Sequence, residues 1–280
     1  MTSIMQPPLS SCSFAVKYRY FLVTGGSQGL GLEIARQLKI AGASGLVLVS
    51  RSKDKGESAV AELMDENCKV WHLQADLSKA DEAAGVFPRA ERLIGSENVI
   101  NGVVNAAATA ARGNLFTTTA ESFDMQMALN VRAPFLITQG AANHMMKNKA
   151  TGSIVNISSA AAHGGAPFIM AYSCAKSALV TLTKNNAAEL APRGIRVNAI
   201  NMGWCLTDNE DYLQSQQSDS RWIERADQSV PLGRILRPVD VAATVCFLLS
   251  NASRMTTGSI IDLHPEYPHG MISLLEKDSR

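Results

Sequence analysis

The sequence predicts a doubly wound α/β fold: a seven-stranded parallel sheet with helices on both faces. Short apolar runs rich in Val and Ile alternate with longer amphipathic runs along nearly the whole chain. The short runs are apolar on both faces, as buried parallel strands are. Repetition of strand then helix places the helices on both faces of one sheet, with right-handed crossovers. A glycine cluster between the first strand and the first helix marks the turn at which such sheets bind a dinucleotide. No linker or composition break divides the chain. The prediction is one domain over 19–270, with a flexible extension at 1–18 and a tail at 271–280.

The strands are expected at Tyr20–Thr24, Leu46–Ser50, Val70–Ala75, Val99–Asn105, Ser153–Ser158, Arg196–Asn201 and Ser259–Leu263. Helical spacing of apolar residues predicts helices at Leu32–Ala41, Asp54–Asp65, Ala80–Ile94, Ala120–Asn148, Ala171–Leu190 and Val239–Leu249. The polar stretch Thr207–Gln228 breaks the rhythm and carries only isolated Tyr212, Leu213, Trp222 and Ile223. It follows the sixth strand, at the sheet edge where ligands bind, and reads as a substrate lid over 207–228.

Composition excludes several classes of function. The 280 residues carry a formal net charge of +1, with 18% charged and 46% hydrophobic residues and no basic block, so nucleic acid is not an expected partner. No apolar run reaches the ~18 residues of a membrane span, and residues 1–18 lack the apolar core of a secretory signal. The five cysteines are odd in number and scattered, without metal-binding spacing, and the five histidines form no HExxH. A cytoplasmic protein with no metal is expected. Cys174, beside Tyr172, reads as a packing residue.

Chemistry is concentrated in the run AYSCAK. Tyr172 and Lys176 are four residues apart and share one helix face. An ammonium about 5 Å from a phenol, at an effective dielectric of about 20, contributes roughly 3 kcal/mol. That is roughly two pKa units, which is expected to bring Tyr172 into acid-base range. The first strand ends in Thr24-Gly25-Gly26-Ser27-Gln28-Gly29-Leu30-Gly31 and runs into a helix. Glycines let backbone approach a pyrophosphate closely, and the new helix offers free N–H groups. At the end of the second strand, where an acidic residue would bind a ribose hydroxyl, stand Ser50 and Arg51, with Lys53 and Lys55 nearby. A serine does not repel a 2′-phosphate and an arginine pairs with one, so NADP(H) is favoured over NAD(H).

From about Tyr20 to His264 the chain resembles the short-chain dehydrogenase/reductase family. TGGSQGLG resembles its cofactor loop, which implies contacts from Gly25, Ser27, Gln28, Gly29, Leu30 and Gly31. Asp76 and Leu77 in QADLS resemble its adenine-contacting pair. VVNAAA, with Asn105, Ala106 and Ala107, is similar to its NNAG strand end and departs from it at Ala106 and Ala108. Asn130 in MALNVRAPF resembles its catalytic and structural asparagine. Ser159 stands thirteen residues before Tyr172, the family's spacing, and Ser158 is expected to point the other way. AINMGWCLT resembles its nicotinamide loop, implying roles for Gly203, Leu206 and Thr207, with Met202 where proline is usual. Leu263-His264-Pro265-Glu266 replaces the family's VDGG ending.

The resemblance implies a single-domain Rossmann fold and interconversion of a carbonyl and a secondary alcohol. In that chemistry Tyr172 is general acid or base, Ser159 binds the substrate oxygen, and Lys176 tunes Tyr172 and binds the nicotinamide ribose. It also implies a homotetramer or dimer built on the two long helices. Pro134 has no N–H to offer the carbonyl of Asn130, so a kink is expected there, with a water on that carbonyl linking Lys176 to solvent. Candidate substrate contacts are His163, Phe168 and Trp204, with the lid aromatics, His264 or Glu266. With Asp208 and Glu210 on the lid, a polyol, sugar or other polar ketone is favoured. The rival reading is a cofactor-binding redox sensor without turnover.

Overall fold

The computed structural model describes residues 14–17, 19–216 and 221–265. The extension 1–13, part of the lid at 217–220, Glu266 and the tail at 271–280 lie outside them. Seven parallel strands form one sheet: β1 (Tyr20–Thr24), β2 (Gly45–Ser50), β3 (Lys69–Gln74), β4 (Ile100–Asn105), β5 (Gly152–Ser159), β6 (Ile195–Met202) and β7 (Ile260–Leu263). Their order is β3-β2-β1-β4-β5-β6-β7. The chain leaves β1 in one direction and crosses to β4 in the other, so the crevice at their carboxyl ends is the switch point where such sheets bind ligands.

The alternation of side chains fills both faces. Phe21, Val23, Leu46 and Leu48 point to one side, against α1 (Gly29–Ile40), α2 (Lys53–Leu63) and α10 (Pro238–Leu249). Leu22, Val47 and Val49 point to the other, against α4 (Val86–Ile94), α6 (Ala133–Lys147) and α7 (Met170–Leu190). All seven of those strand side chains are fully buried. Burial of apolar surface on both faces, at roughly 25 cal/mol per Å², is what the continuous Val/Leu/Ile runs of the strands supply.

Two helices and the polar segment 207–228 differ from the sequence expectation, each for a local reason. The predicted Ala80–Ile94 helix is two helices, α3 (Ala80–Ala84) and α4, divided at Gly85. The predicted Ala120–Asn148 helix becomes α5 (Ala120–Met127), a π-helical turn (Ala128–Arg132) and α6. The π turn carries Asn130 and ends two residues before Pro134, so the interruption falls where the missing proline N–H places it. The lid is not a featureless loop. It holds α8 (Asp208–Ser215), capped by Thr207 Oγ1 accepting from the Glu210 N–H at 3.2 Å, and α9 (Trp222–Gln228). Trp222, Ala226, Val230 and Ile235 form a small core beneath them. No described helix is long and apolar enough to cross a membrane.

Candidate active site

The glycine loop is held at the crevice by its own strand. Gly25 N–H donates to Val49 O at 2.8 Å, and Thr24 Oγ1 accepts from the N–H groups of Ala106 (3.0 Å) and Ala107 (3.1 Å). One hydroxyl therefore ties the end of β1 to the segment after β4. A Cβ on Gly31 would lie 2.3 Å from Gly25 O, so only glycine allows this turn. Where α2, α5 and α8 begin, a Ser or Thr side chain accepts a first-turn N–H. At α1 the Gln28 side chain does not, and no acidic residue stands in the first turn. The N–H groups and positive dipole end of α1 are thus left for an anion, the arrangement a pyrophosphate requires.

The residues expected at the adenosine end stand at the carboxyl ends of β2 and β3. Ser50 Oγ is 2.9 Å from His72 Nε2 and Arg51 is exposed beside it. Lys55 Nζ donates to Gln28 Oε1 at 2.5 Å, bringing a second cation to the glycine loop. Lys53 is drawn to Glu57, at 3.7 Å. Asp76 accepts from Ser78 N (3.1 Å) and Ser78 Oγ (2.7 Å), which with Arg51 and Lys79 nearby holds its carboxyl below the ordinary range against a smaller effect of burial. The Leu77 side chain is buried in the core. Ala106 and Ala107 are half-buried at the crevice and Ala108 is exposed. Among the described residues Lys149 alone, of those that are not glycine, has a positive φ, so Ala108 does not need the freedom of the glycine it replaces.

The other end of the crevice is built from β5, α5–α6, α7 and β6. Asn130 is fully buried. Its Nδ2 donates to Thr109 O and Gln126 Oε1, both at 2.9 Å, and its Oδ1 accepts Thr109 N–H at 3.3 Å, which fastens the π turn to the segment after β4. Ser159 ends β5 and its Oγ accepts Ala161 N–H at 3.2 Å. Ser173 and Ser177 donate to Ala161 O and Ala162 O, both at 2.6 Å, which pins the 3₁₀ turn Ala160–His163 onto α7. Ser159 is thereby brought beside Tyr172, close enough to act against the upward pull of burial on the phenol. Ser158 is buried and bonds Lys176 O at 3.3 Å, turned away from the site as expected.

Lys176 lies 5.5 Å from the centre of the Tyr172 ring and donates to Ile157 O at 2.7 Å. The electrostatic expectation for this pair is corrected here. Burial pulls Lys176 down to about 7, so near neutral pH much of its charge is already lost. Burial pushes the Tyr172 phenol up, opposed only by the Ser159 hydrogen bond. Without a bound ligand the lysine does not acidify the tyrosine, because desolvation outweighs an attraction calculated for a fully charged ammonium.

Gly203 N–H donates to Leu263 O at 2.8 Å, and Leu206 N–H donates to Leu236 O at 2.8 Å. Met202 continues β6 and pairs with both Ser159 and Leu263, a ladder position that a proline would interrupt. Phe168 and Trp204 are exposed at the rim. Trp204 Nε1 donates to Glu210 Oε1 at 2.8 Å, and Trp222 is buried with its Nε1 on Asp211 Oδ1 at 2.9 Å, so Trp222 holds the lid together. His163 turns toward β7, with Nε2 3.0 Å from Asp262 Oδ1. Cys174 is exposed on α7, which corrects its reading as a packing residue of the isolated chain. Thr24, Gln126, Ser173 and Ser177 were not singled out as positioning residues. Small hydroxyl and amide side chains carry no periodic signal, and Thr24 alone sits inside a recognisable motif.

Residues 25–263 match the family model described as enoyl-(acyl carrier protein) reductase. The chain belongs to the short-chain dehydrogenase/reductase family, and it is an oxidoreductase. It is 33% identical over 246 residues to 2-(S)-hydroxypropyl-CoM dehydrogenase 3 of Xanthobacter autotrophicus, covering 87% of this chain and 94% of that one. A 3-oxoacyl (acyl-carrier-protein) reductase from Agrobacterium tumefaciens, solved with NADP bound, superposes with a TM-score of 0.81 at 26% identity, covering 90% and 95% of the two chains. A 2-deoxy-D-gluconate 3-dehydrogenase assigned in the same organism, also with NADP bound, gives 0.77 at 29% identity over 90% and 97%.

Proposed function

We propose that this oxidoreductase is an NADP(H)-dependent carbonyl reductase acting on a small polar ketone, with the reverse oxidation of a secondary alcohol at the same site. The observation that carries the reading is buried Lys176, one helical turn from Tyr172 and 5.5 Å from its ring centre, with Ser159 beside them at the end of β5. NADPH supplies the hydride. Tyr172, held protonated by burial, is set to donate its hydroxyl proton to the oxygen of a carbonyl as negative charge builds there. Ser159 donates a second hydrogen bond to that oxygen. Lys176 stands beside the phenol and reaches a β5 carbonyl, where it restores positive charge as the tyrosine loses its proton. The carbonyl of Asn130, in the π turn, is the proposed seat of a water that returns the proton from solvent. Gly25, Gly31 and the uncapped start of α1 support a pyrophosphate, and Arg51 with Lys55 supports a 2′-phosphate over Ser50.

A sugar-like or polyol substrate is supported by the acidic rim of Asp208 and Glu210 and by the neighbouring deoxygluconate dehydrogenase. The intact Ser159, Tyr172 and Lys176 weigh against the sensor reading. A panel of ketones, keto-sugars and polyols, followed by the absorbance of the reduced nicotinamide, tests the activity. Turnover with at least one polar carbonyl is expected, and Tyr172→Phe is expected to lose at least about 10²-fold in kcat while binding NADPH as before. Substantial turnover by Tyr172→Phe sinks the acid-base role. Arg51→Asp is expected to move the kcat/KM preference toward NADH by about tenfold or more, and an unchanged preference counts against the 2′-phosphate assignment.

A further inference from the structure

His163, Asp262 and His264 come from two places far apart in the sequence. His163 closes the 3₁₀ turn that follows Ser159, Asp262 lies on β7, and His264 lies just after it, where the family's VDGG ending is replaced. Their ligand atoms all lie within 4.8 Å of one another. His163 Nε2 is 3.0 Å and His264 Nε2 is 3.6 Å from the same oxygen, Asp262 Oδ1. The two imidazole rings meet edge to face with centres 5.7 Å apart. Four-coordinate zinc holds nitrogen and oxygen at about 2.0–2.2 Å, which places neighbouring ligand atoms roughly 3.3–3.5 Å apart. Two of the three separations bracket that value already.

We infer that His163, Asp262 and His264 form a binding site for a zinc-type divalent cation. Two imidazoles and one carboxylate suit Zn²⁺ and disfavour Mg²⁺ and Ca²⁺, which take oxygen ligands. The side chains of Asp262 and His264 are 19% and 6% exposed, whereas that of His163 is 55% exposed. Two ligands are thus set in a wall and the third can swing onto an ion arriving from solvent. Asn201 Nδ2 donates to Asp262 Oδ1 at 2.9 Å and orients the carboxylate, the kind of supporting contact metal ligands have. Binding requires His163 to carry its neutral-form proton on Nδ1, freeing Nε2 for the ion.

The sequence alone gives no sign of this site, because 99 positions separate His163 from Asp262. The ion would bridge β7 to the turn that follows Ser159, and so would hold that turn in place.

The test is calorimetric titration of ZnCl₂ into chelator-stripped full-length protein, with thermal unfolding in parallel. One Zn²⁺ per chain and a rise in Tm are expected. Affinity is expected to fall at least about tenfold in each of His163→Gln, Asp262→Asn and His264→Gln, and MgCl₂ is expected to give no saturable heat. Absence of saturable Zn²⁺ binding, or binding by His163→Gln as tight as by the unaltered protein, overturns the site. His163 is exposed, so His163→Gln decides the question even if a β7 variant fails to fold, with circular dichroism as the folding check.

Discussion

At the scale of single residues, Lys176 is the group whose placement works against stability. It is 2% exposed, and burial lowers it to about 7 from an ordinary 10.5. The sign follows from proton binding. Between those two values the unfolded chain holds a proton on this lysine that the folded chain has largely released. Stability of the ligand-free protein therefore rises with pH across that window, at up to about 1.4 kcal/mol per unit from this residue. Lys176→Met removes the buried amine and is expected to raise Tm at pH 7 while abolishing turnover. Its advantage in Tm over the unaltered protein should shrink as pH climbs from 7 toward 9. Unfolding followed by circular dichroism at several pH values checks this, and an advantage independent of pH would show that Lys176 keeps its full charge in the fold. Under the proposed function, such a residue is retained for chemistry at the expense of stability. Its identity and partner were legible from the spacing of AYSCAK, but its depressed basicity was not. Desolvation depends on what surrounds a side chain, and spacing says nothing of that.

The elements were legible where two signals agree. All seven strands stand where apolar runs flanked by turn residues place them, with boundaries moved by a residue or so, because period and propensity point the same way. Helix α1 begins at Gly29, three residues before its apolar pattern begins, because its first turn is the glycine loop itself. Thr119 and Thr207 cap α5 and α8, yet α8 escaped notice since a polar surface helix has little apolar periodicity to show. The glycine loop supplies the prediction at this scale. In Gly31→Ala the new methyl must displace the Gly25 carbonyl, backbone against backbone, since the open space is only 2.3 Å. Overpacking of this kind costs roughly 1–3 kcal/mol. The expected result is a lower Tm together with at least about tenfold weaker NADPH binding by fluorescence titration. Wild-type affinity in Gly31→Ala would mean that the loop does not cradle the pyrophosphate.

For the whole molecule, several large apolar side chains on and near α5 and α6 stay exposed in the isolated chain. Phe123 and Met125 on α5 and Phe135 and Met146 on α6 are exposed, and Phe116, just before α5, is almost wholly so. Exposed Cys174 lies on α7. Scattered apolar side chains are ordinary on a surface, and several large ones on consecutive helices are the kind of surface an interface covers. The family resemblance points to the same long helices, and a dimer formed there would be isologous, each α5–α6 face meeting its copy. We therefore expect the protein to run as a dimer or tetramer by light scattering coupled to gel filtration. Phe123→Glu combined with Phe135→Glu places charges on that face and should shift the population toward monomer. The thiol of Cys174 should react slowly with a thiol reagent in the assembled protein and quickly in the double variant, if α7 shares the interface. A monomeric unaltered protein would refute the assembly outright. An intact oligomer in the double variant, with Cys174 reacting quickly, would move the interface to another face.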